Sequence, residues 1–344
     1  MKMRNSLYFM GLSVVLFSCT SQKNIQKNSP TPQKNVPTVK TPVNNPAPTA
    51  AQSELKRENG HYFYKVNIAD ATKNDNTISY GSIVSANPSG YKVVYTYFPA
   101  VAQNFRQKYI ILHYTALDDD KSVTVLTQQS VSAHYLVNNL GDNEIYQLVD
   151  ENKRAYHAGV SSWRNDKMLN DTSIGIEIVN PGYKTDASGN RIFPEFADAQ
   201  IKKVAALVKD IANRYMIPPT NILAHSDIAP TRKQDPGPKF PWKKLYDEYQ
   251  IGMWYDETVK QGFVDQIVPE VFVTEVSTPQ FIFKYQTALK SLGYGLEPSG
   301  TVDDATKKTI EAFQFHFRPG KFDGVMDAET WAILQALNSK YPNK

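Results

Sequence analysis

The sequence predicts an α/β (α+β) domain with a mixed central sheet flanked by helices, followed by a small all-α domain of three helices. Between residues 109 and 224, short apolar runs typical of buried strands alternate with helical patterns. Two of these runs end at a histidine, and open α/β sheets place their sites at such strand ends. Beyond residue 256 the pattern is helical, with glycine-containing loops.

Length and charge limit the possible classes of protein. A chain of 344 residues with 41% hydrophobic residues has room for two domains. Its 38 basic and 34 acidic residues give a net charge of +4, a mild excess that is not clustered. We therefore expect no nucleic-acid partner.

The N-terminus carries the features of a secretory signal. Residues 1–18 combine a basic start (Lys2, Arg4) with an apolar run that is too short for a spanning helix. Cys19, the sole cysteine, follows Leu-Phe-Ser, and this ending resembles a bacterial lipobox, which predicts lipidation of Cys19 and a membrane anchor. The alternative is an ordinary signal peptide with an incidental cysteine.

Two segments precede the predicted sheet. Residues 19–53 are rich in Pro, Asn, Gln, Lys and Thr and nearly lack large apolar groups, which predicts a disordered tether. We place the larger domain at 54–255, with its core at 105–250. Within it, the alternating stretches 61–66 and 91–97 are interpreted as strands or extended edges.

The core elements follow in order along the chain. Strands are predicted at 109–115, 132–137, 144–149, 173–180 and 222–224. A helix is predicted at 122–129, and a clearly amphipathic one at 196–215 with Ile201, Val204 and Val208 on its apolar stripe.

The C-terminal region, 256–344, is predicted to be a linker followed by the three-helix domain. Residues 256–276 are interpreted as a connection with some regular structure. The helices are predicted at 280–292, 303–315 and 327–337, with Asp303 or Asp304 and Asp327 as N-caps.

The segment 222–242 suggests a metal site. Its prolines at 230, 236, 238 and 241 restrict the backbone of a loop that presents His225 and Asp235. His113 ends the apolar run 109–112 and is the candidate third ligand. Zinc accepts imidazole nitrogen and carboxylate oxygen, and a catalytic zinc needs three protein ligands. Taken singly, His113 could be a satisfied core histidine, whereas His225 and Asp235 could cap turns.

Two further residues stand out near this set. Glu177 is the exception in an otherwise apolar strand, where a partly dry environment would raise the pKa of its carboxyl. Its alternative is an outward-facing strand residue. Lys233 lies two positions before Asp235, so an extended loop would direct both side chains to one side, although it could also be a solvated lysine.

Four motifs together resemble one family. They are LHYT at 112–115, HAGVSSWR at 157–164, NDTSIGIEIVN at 170–180 and AHSDIAPTRKQDPGPKFPW at 224–242. In this order they resemble zinc-dependent N-acetylmuramoyl-L-alanine amidases, a family that also contains the peptidoglycan recognition proteins. The similarity is greatest to its outer-membrane lipoprotein members, which act on muropeptides and anhydro-muropeptides. Residues 313–337 resemble the peptidoglycan-binding domain of those members.

The resemblance implies roles for the candidate residues. His113, His225 and Asp235 would bind Zn²⁺, Glu177 would act as general acid and base, and Lys233 would stabilise the oxyanion. Candidate substrate contacts are Tyr114, His157, Trp163 and Arg232. For His157 a structural role is an equal alternative, and His134 is expected to be structural.

The implied reaction is hydrolysis of the amide bond between N-acetylmuramic acid, or its 1,6-anhydro form, and L-alanine of the stem peptide. The partners would be peptidoglycan or muropeptides and, through Cys19, a membrane, with the protein a monomer in the cell envelope, anchored in the outer membrane. Three alternatives remain open at this point: a recognition protein that binds without cutting, a zinc peptidase that cuts within the stem peptide, and a structural tether.

Overall fold

The computed structural model describes residues 54–58, 61–65, 69–70, 72, 75–76, 86, 88–94 and 100–342. The predictions for the signal peptide, Cys19 and the tether lie outside the described residues. Of the two early alternating stretches, the first contains a strand at His61–Lys65. The second contains none over 91–94, and its remaining residues are outside the described part.

Strands and helices follow the predicted order. The strands are β1 Glu54–Glu58, β2 His61–Lys65, β3 Ala69–Asp70, β4 Asp75–Asn76, β5 Tyr109–Tyr114, β6 Tyr135–Val137, β7 Tyr146–Gln147, β8 Ser162–Trp163, β9 Asp166–Lys167, β10 Ser173–Ile178, β11 Lys184–Thr185, β12 Arg191–Ile192 and β13 Ile222–Ala224. The helices are α1 Asp119–Gln128, α2 Asp198–Tyr215, α3 His225–Ile228, α4 Trp242–Tyr249, α5 Glu257–Asp265, α6 Pro269–Glu275, α7 Pro279–Leu292, α8 Asp304–Phe317 and α9 Ala328–Lys340.

The central sheet is mixed, as predicted. Its order is β13-β5-β10-β6-β7, in which neighbouring strands from β13 to β6 are parallel and β7 is antiparallel to β6. Within the described residues, four further pairs form separate antiparallel ribbons: β1-β2, β3-β4, β8-β9 and β11-β12. The carboxyl ends of β13, β5 and β10 therefore meet at one edge of the sheet.

Apolar side chains explain why the middle strands are central. Ile110 and Leu112 of β5 and Ile174, Ile176 and Ile178 of β10 are completely buried. They belong to the same hydrophobic cluster as the apolar stripe of α2. Side chains alternate along a strand, so the other face carries Ile111 and then His113 on β5, and Ser173, Gly175 and Glu177 on β10.

The strands β6 and β7 are shorter than predicted, and the helices α3 and α4 were not predicted. β6 begins at Tyr135, and farther upstream the chain turns away from β10, where the Ser132 amide donates to the Tyr156 carbonyl. β7 is a two-residue antiparallel strand. The helix α4 begins at Trp242, directly after the proline-rich loop. The prolines before it do not predict a helix, so its start was not recognised from the sequence.

The helical region confirms the three predicted helices as α7, α8 and α9. Asp303 and Asp327 are the N-caps of α8 and α9, and their carboxylates accept the amides of Thr306 and Thr330. The predicted connection at 256–276 consists largely of α5 and α6. Within the described residues, no helix has both the length and the apolar composition needed to cross a bilayer.

Candidate active site

The sheet positions the three candidate ligands. His113 lies on β5, and the register of β13 pairs Ala224 with Leu112, so that His225, the next residue, lies beside His113. Asp235 follows ten residues later, and its carbonyl accepts the amide of Ser226 at 3.0 Å. The turn that begins at His225 is thereby tied to the loop that carries Asp235.

The ligand atoms of these residues converge. The Nδ1 atoms of His113 and His225 lie 2.9 Å apart, and Oδ2 of Asp235 lies 3.0 Å from each of them. All three side chains are buried. Two imidazole nitrogens and one carboxylate oxygen are a donor set that zinc accepts, with coordination positions left for water and substrate. The three residues therefore fit the zinc ion that the sequence predicts.

The hydrogen bonds around His113 leave its Nδ1 atom unprotonated, with a lone pair available for a metal. The Ser173 hydroxyl donates to the Leu169 carbonyl, so its oxygen is available to accept from Nε2 of His157 at 3.2 Å. Nδ1 of His157 can then accept from Nε2 of His113 at 3.0 Å. A proton on Nε2 of His113 leaves Nδ1 unprotonated and ready for a metal.

His225 is held in the same tautomer by a simpler contact. Its Nε2 lies 3.1 Å from the Ala158 carbonyl, which can only accept a hydrogen bond. A proton on Nε2 again leaves Nδ1 as the lone pair directed at the site. The two imidazoles therefore both offer Nδ1, which is the chemically required state for binding a cation.

Gly175 makes room for His157. The alternation along β10 places Ser173, Gly175 and Glu177 on one face. A Cβ atom on Gly175 would lie 2.4 Å from Cγ of His157, so the imidazole rests on the bare backbone. The glycine within a strongly apolar strand was a visible signal of a close approach, but the sequence did not indicate which group approaches.

Burial and mutual charge determine the protonation of the ligands. Burial, and then the neighbouring His225, lower the pKa of His113 to about 4. Burial and the surrounding histidines also hold the pKa of His157 well below its usual value. For Asp235, burial alone would raise the pKa, but the facing imidazoles outweigh it and hold the pKa well below its usual range. Neutral histidines and an ionised carboxylate are the forms that bind metal.

Glu177 lies directly beside His113. The two residues are register partners on β10 and β5, and parallel neighbours point their side chains to the same face. Glu177 is partly buried, and its Oε2 atom is enclosed with no hydrogen-bond partner among the described residues. Burial, and then the charge of Asp235, raise the pKa of Glu177 to about 8. A carboxyl in this state can exchange a proton near neutral pH.

Lys233 supplies positive charge to the same site. Its side chain is half-buried, and its charge lowers the pKa of both Glu177 and His113. No ion pair of Lys233 occurs within the described residues. An ammonium group near the ligands without a carboxylate partner can interact with negative charge that develops on a substrate.

The remaining candidates are placed differently from one another. Tyr114 follows His113 on β5, and burial, and then the charge of Asp235, raise its pKa. His157 contacts a ligand, as described above. Nη2 of Arg232 donates to the carbonyls of Ala158 and Val160 at 2.7 and 2.9 Å, so this arginine supports the HAG segment.

Trp163 is not brought to the site. Its indole is 0% exposed, its Nε1 donates to the Thr220 carbonyl, and its ring packs edge-on against Tyr294 of the helical region. We therefore do not retain a substrate contact for Trp163. His134 makes two backbone contacts: its Nδ1 accepts the amide of Gly175, and its Nε2 donates to the Lys153 carbonyl.

Comparison with known families identifies both parts of the chain. A family model described as N-acetylmuramoyl-L-alanine amidase matches residues 103–238. A second, described as putative peptidoglycan binding domain, matches residues 280–334. The curated N-acetylmuramoyl-L-alanine amidase AmiD of Escherichia coli K12 is 43% identical over 241 residues, which cover 69% of this chain and 84% of AmiD.

Two solved structures are similar over most of the chain. One is AmiD from E. coli in complex with anhydro-N-acetylmuramic acid-L-Ala-D-γ-Glu-L-Lys, with 41% identity and a TM-score of 0.67, covering 75% of this chain and 98% of that one. The other is AmpDh3 from Pseudomonas aeruginosa in complex with anhydromuramic pentapeptide, with 42% identity and a TM-score of 0.65, covering 73% and 99%. The fold, the site and these similarities together show that the chain belongs to the N-acetylmuramoyl-L-alanine amidase family.

Proposed function

We propose that the protein is a zinc-dependent amidase that hydrolyses the bond between the lactyl group of N-acetylmuramic acid and L-alanine of the stem peptide. The observation that supports this most directly is the convergence of three ligand atoms, 2.9–3.0 Å apart, beside a carboxyl with a raised pKa. A recognition protein that binds without cutting needs neither feature. All three ligands come from a single chain, which supports a monomer as the active form.

The proposed mechanism assigns one task to each residue. His113, His225 and Asp235 would hold Zn²⁺, which when bound polarises a carbonyl and acidifies water. Glu177 takes a proton from the attacking water as its oxygen bonds to the carbonyl carbon. When the C–N bond breaks, Glu177 returns that proton to the amine of L-alanine. Lys233 stabilises the negative charge on the carbonyl oxygen.

The 1,6-anhydro form of the substrate is included in the proposal. AmiD and AmpDh3 were each solved with an anhydromuramic peptide, and both are more than 40% identical to this chain. Tyr114 is retained as a candidate for a substrate contact because it follows His113 on β5 and its pKa responds to the charge of Asp235. The helical region at 280–334 is proposed to bind peptidoglycan, which would raise the local concentration of substrate.

The proposed location is the cell envelope, with Cys19 lipidated and anchored in the outer membrane. The support is the signal-like residues 1–18 and the position of the cysteine directly after them. We expect radiolabelled palmitate to be incorporated into the wild-type protein and not into Cys19→Ala, which should leave the membrane fraction. An unchanged membrane fraction in Cys19→Ala would count against the anchor.

Product analysis with metal removal tests the proposed activity. The protein is incubated with purified muropeptides and their anhydro forms, with and without a zinc chelator, and the products are identified by mass spectrometry. We expect release of the intact stem peptide with a free L-alanine amino terminus, loss of this release on chelation, and recovery when zinc is returned. Cleavage within the stem peptide would indicate a peptidase, and binding without release would indicate a recognition protein.

A further inference from the structure

A buried carboxylate connects the helical region to the turn that presents His225. Asp227 lies in α3, two residues after His225, and is 0% exposed. Its Oδ2 atom accepts the amide of Ala224 at 2.8 Å, which closes the turn from β13 into α3. The conformation of Asp227 therefore fixes the turn around one of the three ligands.

The other hydrogen bonds to Asp227 come from the helical region. The Tyr294 hydroxyl donates to Oδ1 at 2.7 Å, and Nδ1 of His316 lies 2.7 Å from Oδ2. Tyr294 follows α7, and His316 lies on α8. Apart from the Ala224 amide, these are the hydrogen bonds to the carboxylate within the described residues. A buried carboxylate without donors is destabilising, so α3 depends on both side chains.

Both donors are held firmly in place. The ring of His316 is stacked between Trp242 and Phe317, with 3.9 Å between centroids on each side. Tyr294 forms an isolated β-bridge with Trp163, and the amide of Arg164 donates to the Gly293 carbonyl at 2.7 Å. The packing is so close that a Cβ on Gly293 would lie 2.4 Å from Cε2 of Trp163.

We propose that Tyr294 and His316 are positioning residues of the metal site, which act through Asp227 on the turn that presents His225. The helical region would then contribute to metal affinity, separately from any binding of peptidoglycan. This inference rests on the proposed function, because it assumes that His225 binds a metal. It predicts that metal affinity and wall binding respond to different substitutions in the same region.

The test measures metal affinity in full-length variants. Zinc dissociation constants are obtained by competition with a chromophoric chelator, and the absorption spectrum of the Co²⁺-substituted protein reports ligand geometry. Tyr294→Phe removes one oxygen, His316→Leu removes the donor, and His316→Asn restores a donor at the position of Nδ1. The matched control is Tyr285→Phe, a buried tyrosine of α7 whose hydroxyl is not a partner of Asp227.

We expect Tyr294→Phe and His316→Leu to weaken zinc binding by about 10- to 100-fold and to alter the Co²⁺ spectrum. His316→Asn should recover part of the loss, and Tyr285→Phe should leave affinity unchanged. Peptidoglycan pull-down should equal wild type in all four. A purely structural role would lower the unfolding temperature without changing the spectrum of the folded Co²⁺ protein.

Two results would overturn the inference in different ways. If the wild-type protein binds zinc, and Tyr294→Phe and Tyr285→Phe bind it with equal affinity, the positioning role is refuted. The proposed function would remain intact. Failure of the wild-type protein to bind zinc would refute the metal chemistry and the inference together. If His316→Leu does not fold, Tyr294→Phe decides the question because it removes a single atom.

Discussion

Replacing Glu177 with glutamine is expected to lower kcat by roughly 100- to 10,000-fold while the metal remains bound. Glutamine keeps the size of the side chain but cannot take a proton from water. Glu177 is not one of the three converging ligands, so zinc affinity should change little. Steady-state hydrolysis of muropeptides, together with zinc content of the same samples, measures both quantities.

The pH profile gives this prediction a second readout. The pKa of Glu177 is raised from 4.5 to about 8 in the metal-free protein, and the positive charge of bound zinc will shift it downward. Glu177 must be ionised to act as a base. The pH profile of kcat/KM should therefore have an ascending limb between pH 4.5 and about 8. Glu177→Gln should lack this limb, because the group that titrates has been removed.

Stability should move in the opposite direction to activity. Between pH 4.5 and about 8, the metal-free folded protein binds a proton at Glu177 that the unfolded chain does not. Unfolding is therefore increasingly favoured as pH rises through this window. Metal-free Glu177→Gln avoids this loss and should unfold at a higher temperature than wild type near pH 8.

Glu151 provides the matched control for Glu177. Its carboxylate accepts hydrogen bonds from Tyr135, Tyr215 and Arg214, which outweigh burial and lower its pKa to about 2. Glu151→Gln should lose stability above pH 4.5 yet keep the pH limb of hydrolysis. A Glu177→Gln protein with near wild-type kcat, or with the limb unchanged, would remove Glu177 from the mechanism.

Replacing Asp235 with asparagine is expected to abolish hydrolysis through loss of the metal. Asparagine has the same shape but no charge, and the two remaining ligands are neutral imidazoles. Zinc affinity should fall by more than about 100-fold, which exceeds the loss typical when a residue that only hydrogen-bonds to a ligand is replaced. Chelator competition measures the affinity, and hydrolysis is assayed over a series of zinc concentrations.

Asp166→Asn is the matched control for Asp235→Asn. Asp166 is a partly exposed carboxylate that accepts from Tyr109 and Lys108 and is not one of the three converging ligands. It should retain wild-type zinc affinity and hydrolysis. If Asp235→Asn binds zinc as tightly as Asp166→Asn, the assignment of Asp235 as a ligand is wrong.

The sequence allowed the sheet and the convergence of the ligands to be predicted because both follow from local patterns. Apolar runs mark β5, β10 and β13, and parallel register then brings their ends together. A proline-restricted loop after β13 was enough to place Asp235 near His225. Glu177 could also be recognised from the local pattern, because it is a charged residue in the otherwise apolar strand β10.

The contacts that the sequence did not reveal join residues far apart in the chain. Trp163 sits in a motif shared with the site, yet its indole packs against Tyr294, 131 positions later, and is buried. Nothing in the local sequence around Asp227 indicates that its partners are Tyr294 and His316. Likewise, only the fold shows that the imidazole of His157 fills the space above Gly175.

The bridge between Trp163 and Tyr294 affects which stem peptides along a glycan strand can reach the site. A domain joined to the cleft by backbone contacts and buried side chains cannot swing on a hinge between them. If the helical region binds a glycan strand, the stem peptides that reach the site would lie at a constant distance from the bound segment of that strand. Because the proposed hydrolysis removes stem peptides and leaves the glycan intact, the muramic acids that lose their peptides would lie at a fixed number of disaccharide repeats from the bound segment.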